Sequence, residues 1–170
     1  MTPTTPDLAC TIPGTPQQQG SKTRNAYGTM YEANRNLKPW RAHAITQLRA
    51  AWAGEPITHG VHVTARFVYA RPKSHYRTGR NSHLLRDDAP AFKTSAPDLD
   101  KLQRALGDAL TQAGVLRDDA LIAQWTAAKL YGPTPLVELT ITRCWTELTT
   151  QVRMTHHDSD NHKRQYRGRR

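Results

Sequence analysis

Cysteine is nearly absent from this chain. Cys10 and Cys144 are the two among 170 residues, far apart and each away from any Cys/His cluster. That argues against a disulfide framework and reads as two reduced, half-buried thiols in strand-like runs. Long apolar runs are absent too. No basic-then-apolar segment follows Met1 and no lipidation motif is present, so neither a membrane span nor secretion is expected. Acid is scarce: 14 Asp and Glu stand against 24 Lys and Arg, a formal net charge of +10. Such a surplus suits a polyanion, nucleic acid first, though an anionic membrane would also be attracted. At this length the chain fits one domain with a core of its own.

What is present organises itself by period. Leu8 to Ile12 reads as a short strand closed by Pro13-Gly14, and Thr15 to Gly28 as a polar loop carrying Lys22 and Arg24. Trp40, Ala44, Ile45, Leu48 and Trp52 recur at helical spacing, which predicts a helix over Leu37 to Trp52. Val61 to Tyr69 alternates as a strand with one apolar face. Arg71 to Ala96 has no apolar period and reads as a long flexible loop. A second helix is expected from Asp98 to Gln112, with Leu99, Leu102, Leu106, Ala109, Leu110 and Ala113 as its buried stripe and Gly114 as its stop. Strands near Ala120 to Tyr131 and Leu136 to Trp145 flank Gly132-Pro133-Thr134-Pro135, a turn signal that predicts an antiparallel hairpin. The order β-α-β-α-β-β implies an α+β fold, one mixed sheet packed by two main helices. A unit over residues 1–150 is expected, with residues 151–170 a basic disordered tail.

The acids that do occur are concentrated. Asp98 and Asp100 sit at the mouth of the second helix, and Asp118 and Asp119 follow its glycine stop. Helix capping and turn chemistry account for such positions. A divalent metal site accounts for them equally, because hard carboxylate oxygens select Mg²⁺ or Mn²⁺. Asp100 and Arg104, four apart, share a helix face, which would set a guanidinium beside the acids and near a scissile phosphate.

The run D-L-D-K-L-Q-R-A-L-G-D-A-L-T-Q-A-G-V-L-R-D-D-A, with L-V-E-L-T-I-T at Leu136 to Thr142, resembles the RusA family of Holliday junction resolvases. The opening I-P-G-T-P-Q-Q-Q-G-S-K resembles that family's first strand and basic loop more loosely. The resemblance implies a homodimeric, Mg²⁺-dependent endodeoxyribonuclease that nicks two opposed strands of a four-way DNA junction. By position it makes Asp98, Asp100 and Asp119 the metal-binding carboxylates, with Asp118 a lesser neighbour. Where the family has an essential lysine this chain has Arg104, which keeps the charge but does not readily give up a proton. Where the family commonly has asparagine it has Lys101, which either approaches the phosphate or stays solvated.

Arg71, Lys73, Arg77, Arg80, Arg86 and Lys93, interleaved with His75, Tyr76 and His83, read as a phosphate-tracking segment, and Lys22 and Arg24 as similar candidates. Arg153, Lys163, Arg164, Arg167, Arg169 and Arg170 would add non-specific DNA affinity, while His156, His157 and His162 lack the scaffold of a metal site. Trp40, Trp52, Trp125 and Trp145 fall at apolar positions and are expected in the core. A structure-selective DNA-binding protein without nuclease activity, and a flap or fork endonuclease, are the competing readings. The expected setting is a bacterial cytoplasm, with a phage or prophage gene.

Overall fold

The computed structural model describes residues 6–20, 22–24, 30–32 and 34–144. The elements are β1 (Leu8–Pro13), β2 (Lys22–Arg24), β3 (Met30–Glu32), α1 (Leu37–Ala51), β4 (Val61–Ala70), α2 (Leu99–Ala113), β5 (Ile122–Gly132) and β6 (Leu136–Arg143). Four strands form one mixed sheet in the order β1-β6-β4-β5, while β2 and β3 make a separate two-stranded ribbon. That ribbon corrects the reading of Thr15 to Gly28 as loop throughout. It is too short to carry a hydrophobic period, which is why composition alone left it unmarked.

The alternation in β4 is what makes the fold two-layered. Val61, Val63, Ala65, Phe67 and Tyr69 enter the core, joined by Ile12 from β1 and by Val137, Leu139 and Ile141 from β6. The helices supply the other half: Leu37, Trp40, Ala44 and Leu48 from α1, and Leu102, Ala105, Leu106, Ala109 and Leu110 from α2. An Arg41–Asp108 ion pair of 3.0 Å ties the two helices together. Burying each of these large side chains contributes roughly 1.5–3 kcal/mol against leaving it in water, so the leucine stripe of α2 is the main attachment of that helix.

The expected hairpin does not form. β6 pairs antiparallel with β4 and with β1, whereas β5 pairs parallel with β4 on its other edge. Pro133, Thr134 and Pro135 therefore carry the chain across β4 rather than around a turn between neighbours. Gly132 permits the crossing, since a β-carbon there would lie 2.6 Å from Cγ1 of Val68. The segment after β4 lacks α-helix and strand, as its composition suggests, but carries short 3₁₀ turns at Lys73–His75 and Gly79–Asn81 and an antiparallel bridge between Tyr76 and Leu85. Among the described residues no helix is long and apolar enough to cross a membrane.

Candidate active site

Asp98 occupies the N-cap position of α2, yet its side chain makes no capping hydrogen bond. Its backbone N–H donates instead to Oε1 of Gln18, 2.8 Å away in the loop that follows β1. Gln19 N–H reaches the carbonyl of Lys101 at 3.1 Å, and Asn34 Nδ2 holds the carbonyl of Gln18 at 2.8 Å. A distant loop is thus stitched to the first turn of the helix, which leaves the Asp98 carboxylate available to Lys101 Nζ at 2.8 Å. That hydrogen-bonded ammonium, with a smaller field from Lys129, holds the Asp98 carboxyl below the usual carboxylate range. Asp98 pushes the Lys101 ammonium up in return.

Further along α2, Asp100, Gln103, Arg104 and Gly107 recur at i, i+3, i+4 and i+7 and so share one stripe beside the leucines. The opposite side comes from the chain after the helix. Gly114 takes the left-handed conformation (φ +80) and Val115 N–H returns to the Leu110 carbonyl at 3.0 Å, which reverses the chain. A parallel bridge between Leu116 and Ile57 directs it back along α2. A 3₁₀ turn, Asp119–Leu121, then leads into β5.

The two sides enclose a cleft of about 290 Å³ lined by Asp100, Gln103, Arg104, Gly107, Asp119, Ile122 and Trp125. Asp118 is occupied elsewhere: its Oδ1 accepts from Ala120 N–H at 2.8 Å and fixes the turn. The carboxylates of Asp100 and Asp119 have no hydrogen-bond or ion-pair partner among the described residues, so their oxygens are open to a ligand. Asp98 does not line the cleft. Among the described residues no three His, Cys, Asp or Glu side chains stand together as a metal cluster.

A match to the family model described as Endodeoxyribonuclease RusA spans residues 13–142 of the 170. The chain belongs to the RusA family. No curated protein compared with it matches. RusA proteins are divalent-metal-dependent endodeoxyribonucleases that resolve Holliday junctions. The present chain is accordingly a nuclease of DNA recombination and repair.

Within this RusA protein the remaining basic candidates divide by what already holds them. Arg77 is bound to Asp87 at 2.7 Å and to the Leu85 carbonyl at 3.2 Å. Lys93 Nζ donates to Ser95 Oγ at 2.7 Å and lies over the rings of Tyr69 and Tyr131. Lys73 and Arg80 are exposed and carry no ion pair among the described residues. The side chains of Lys22 and Arg24, and the whole of the expected tail with its histidines, lie outside the described residues, as does Trp145.

Several residues in or beside the site do not read as site residues in the sequence, Trp125, Gln18 and Lys129 among them. Trp125 was expected in the core and does pack against it, but it also lines the cleft. Gln18 receives the Asp98 N–H. Lys129, on β5, donates to the carbonyls of Ser95 at 2.9 Å and Pro97 at 2.6 Å and so secures the segment entering α2. Nothing local marks Gln18 or Lys129, because each acts on residues more than thirty positions away.

Proposed function

We propose that Asp100, Asp119 and Arg104 form the phosphodiester-cleaving centre, with Asp98 as a further oxygen donor at the helix mouth. The supporting observation is a single cleft lined by two unengaged carboxylates and a guanidinium from segments that are separate in sequence. The donor set fits Mg²⁺, with Mn²⁺ an adequate replacement: both prefer oxygen, and Mg²⁺ commonly takes one or two carboxylates plus substrate phosphate and water. Such an ion would supply Lewis acidity at the scissile phosphate.

The chain's own residues do the rest. Asp100 and Asp119 would hold the cation in the exposed cleft, where the DNA strand is to bind. Arg104 offers fixed paired donors to the phosphate oxygens, where negative charge grows as the bond to the leaving oxygen breaks. Its high basicity makes it an electrostatic clamp rather than a proton donor. Lys101 neutralises Asp98 until a cation or phosphate competes for either group.

In this reading the substrate is a four-way junction and the working form a homodimer, whose two-fold axis would match two equivalent strands. Lys73 and Arg80 are the phosphate contacts favoured by their freedom. Arg77, Lys93, Lys101, Lys22 and Arg24 would act along the same path, the first three after exchanging a present partner. Residues 1–150 form the nuclease unit and 151–170 a basic appendage in a cytoplasmic bacterial or phage-encoded protein. The test is cleavage of a labelled four-way junction across Mg²⁺ and Mn²⁺ titrations, beside flap and linear duplex. Metal-dependent paired nicks in the junction are expected; equal cutting of plain duplex, or Asp100→Asn protein that nicks junctions at the wild-type rate, would refute the assignment.

A further inference from the structure

Residues 72–89 form an arm whose base is pinched. Arg71 N–H bonds to the Gly132 carbonyl at 3.0 Å and its Nη1 to the Pro90 carbonyl at 2.7 Å. Along the arm, Arg77 N–H meets the Leu84 carbonyl at 2.9 Å and Arg86 N–H the His75 carbonyl at 3.0 Å. None of its residues is buried, so hydrogen bonds and ion pairs, not a core, give it shape.

Within it Leu84 and Leu85 remain 43% and 44% exposed. A polar hairpin of this size gains little from two leucines that reach no core. Their surroundings indicate a partner. Asp87 is taken by Arg77 at 2.7 Å and Asp88 by Arg86 at 2.9 Å, which leaves Lys73 and Arg80 as surplus positive charge. Exposed leucines on the returning limb of an arm with surplus positive charge complement a polyanion that has an accessible apolar interior. DNA opened at a branch point has that character, with phosphates outside and unstacked base faces within. Intact duplex hides those faces.

The arm is also coupled to the cleavage centre. Past its base, Tyr131 N–H bonds to the Ala91 carbonyl and Lys93 N–H to the Lys129 carbonyl, both at 2.9 Å. The same Lys129 holds the carbonyls of Ser95 and Pro97 at the start of α2. Whatever the arm engages is therefore registered against the helix that carries Asp100 and Arg104.

We propose that the arm is a wedge for branched DNA: Leu84 and Leu85 enter among unstacked bases at the branch point while Lys73 and Arg80 hold the adjoining phosphates. The proposal rests on the junction-cleaving reading above and adds how the branch is opened. Full-length wild-type and Leu84→Ser/Leu85→Ser proteins are compared on junctions carrying 2-aminopurine beside the branch. Binding is read by fluorescence without metal, cleavage with Mg²⁺, and mass by sedimentation. The wild type should raise the fluorescence; the double variant should lose most of that rise and cut a fully paired junction on the order of tenfold more slowly. On a junction with unpaired nucleotides already at its centre, the variant should recover to within about twofold of wild type. Equal opening and cleavage by both proteins would overturn the wedge, as would equal slowing on both substrates. A changed sedimentation mass would overturn it in favour of a contact between copies of the chain. Wild-type protein that cuts no branched DNA with either metal would remove the nuclease reading itself.

Discussion

Gly107 lies directly beneath Asp119: a β-carbon built on the glycine would sit 3.9 Å from the β-carbon of the aspartate and 3.7 Å from Cδ1 of Ile122. The turn that returns an acid to α2 thus rests on a helix position without a side chain. One methyl group fits at ordinary contact distance, and a larger group does not. Gly107→Ala should therefore keep junction cleavage and, by improving helix propensity, stabilise the protein by about 0.5–1 kcal/mol in urea unfolding. Gly107→Leu should displace the turn and lower cleavage sharply. A Gly107→Leu protein with full activity would show that Asp119 need not sit where the cleft places it.

Removing the charge of either cleft acid should separate binding from chemistry. Asp100→Asn and Asp119→Asn are each expected to slow metal-dependent cleavage by more than about 100-fold, beyond the loss typical of outer partners of a metal site. Junction affinity measured without metal should stay the same or rise slightly, since a negative charge facing phosphate has gone. Parallel loss of binding and cleavage would point to unfolding, which circular dichroism would detect.

Arg104 gives a sharper comparison, because alanine and lysine ask different questions. Arg104→Ala should lower kcat on the order of 10²–10³-fold, as loss of a donor aimed at developing charge does elsewhere. Arg104→Lys keeps the charge and should retain most activity if the residue is a clamp. An Arg104→Lys protein as slow as Arg104→Ala would mean that the paired donors of the guanidinium, and not its charge alone, carry the step.

The arm offers a pH test remote from the cleft. The hydrogen-bonded Arg86 guanidinium, with its charge, holds the Asp88 carboxyl below its ordinary value. A carboxyl depressed in the folded state stabilises that state above its unfolded pKa, and the contribution is lost as pH falls through the lowered value. The arm pairing should therefore persist through neutral and mildly acidic pH and loosen only in strong acid. NMR titration should find Asp88 below the common carboxylate range, moving up in Arg86→Ala. An Asp88 that titrates identically in both proteins would mean that the pair does not persist in solution.

How far these features could be read in the sequence depended on the range of the interaction. The stripe Leu102, Leu106, Ala109 and Leu110 repeats within one helix, so its period alone placed it in the core. The alternation of Val61, Val63, Ala65 and Phe67 was equally local. Gly132-Pro133-Thr134-Pro135 signalled a reversal correctly, but a local signal does not say which strands become neighbours, and β4 took the place between them. The site shows the same division. Asp100 and Arg104 are neighbours by helix geometry. Asp119 reaches them through the left-handed Gly114 and the bridge of Leu116 to Ile57, which no spacing reveals. Trp125 read as core because tryptophan is large and apolar, although its position at the start of β5 also borders the cleft.

The short crossing between β5 and β6 has a mechanical consequence. β4 has a hydrogen-bonded strand on each edge, and those two strands are themselves tied together over it by three residues. It is clasped, and pulling it out would mean shearing both ladders and dragging it beneath that tie. The arm grows from the end of this same strand. A load taken up at Leu84 and Leu85 would therefore pass into a strand hydrogen-bonded on both edges, so strain spent prising open a DNA branch would be met by two ladders rather than by the arm's own few bonds.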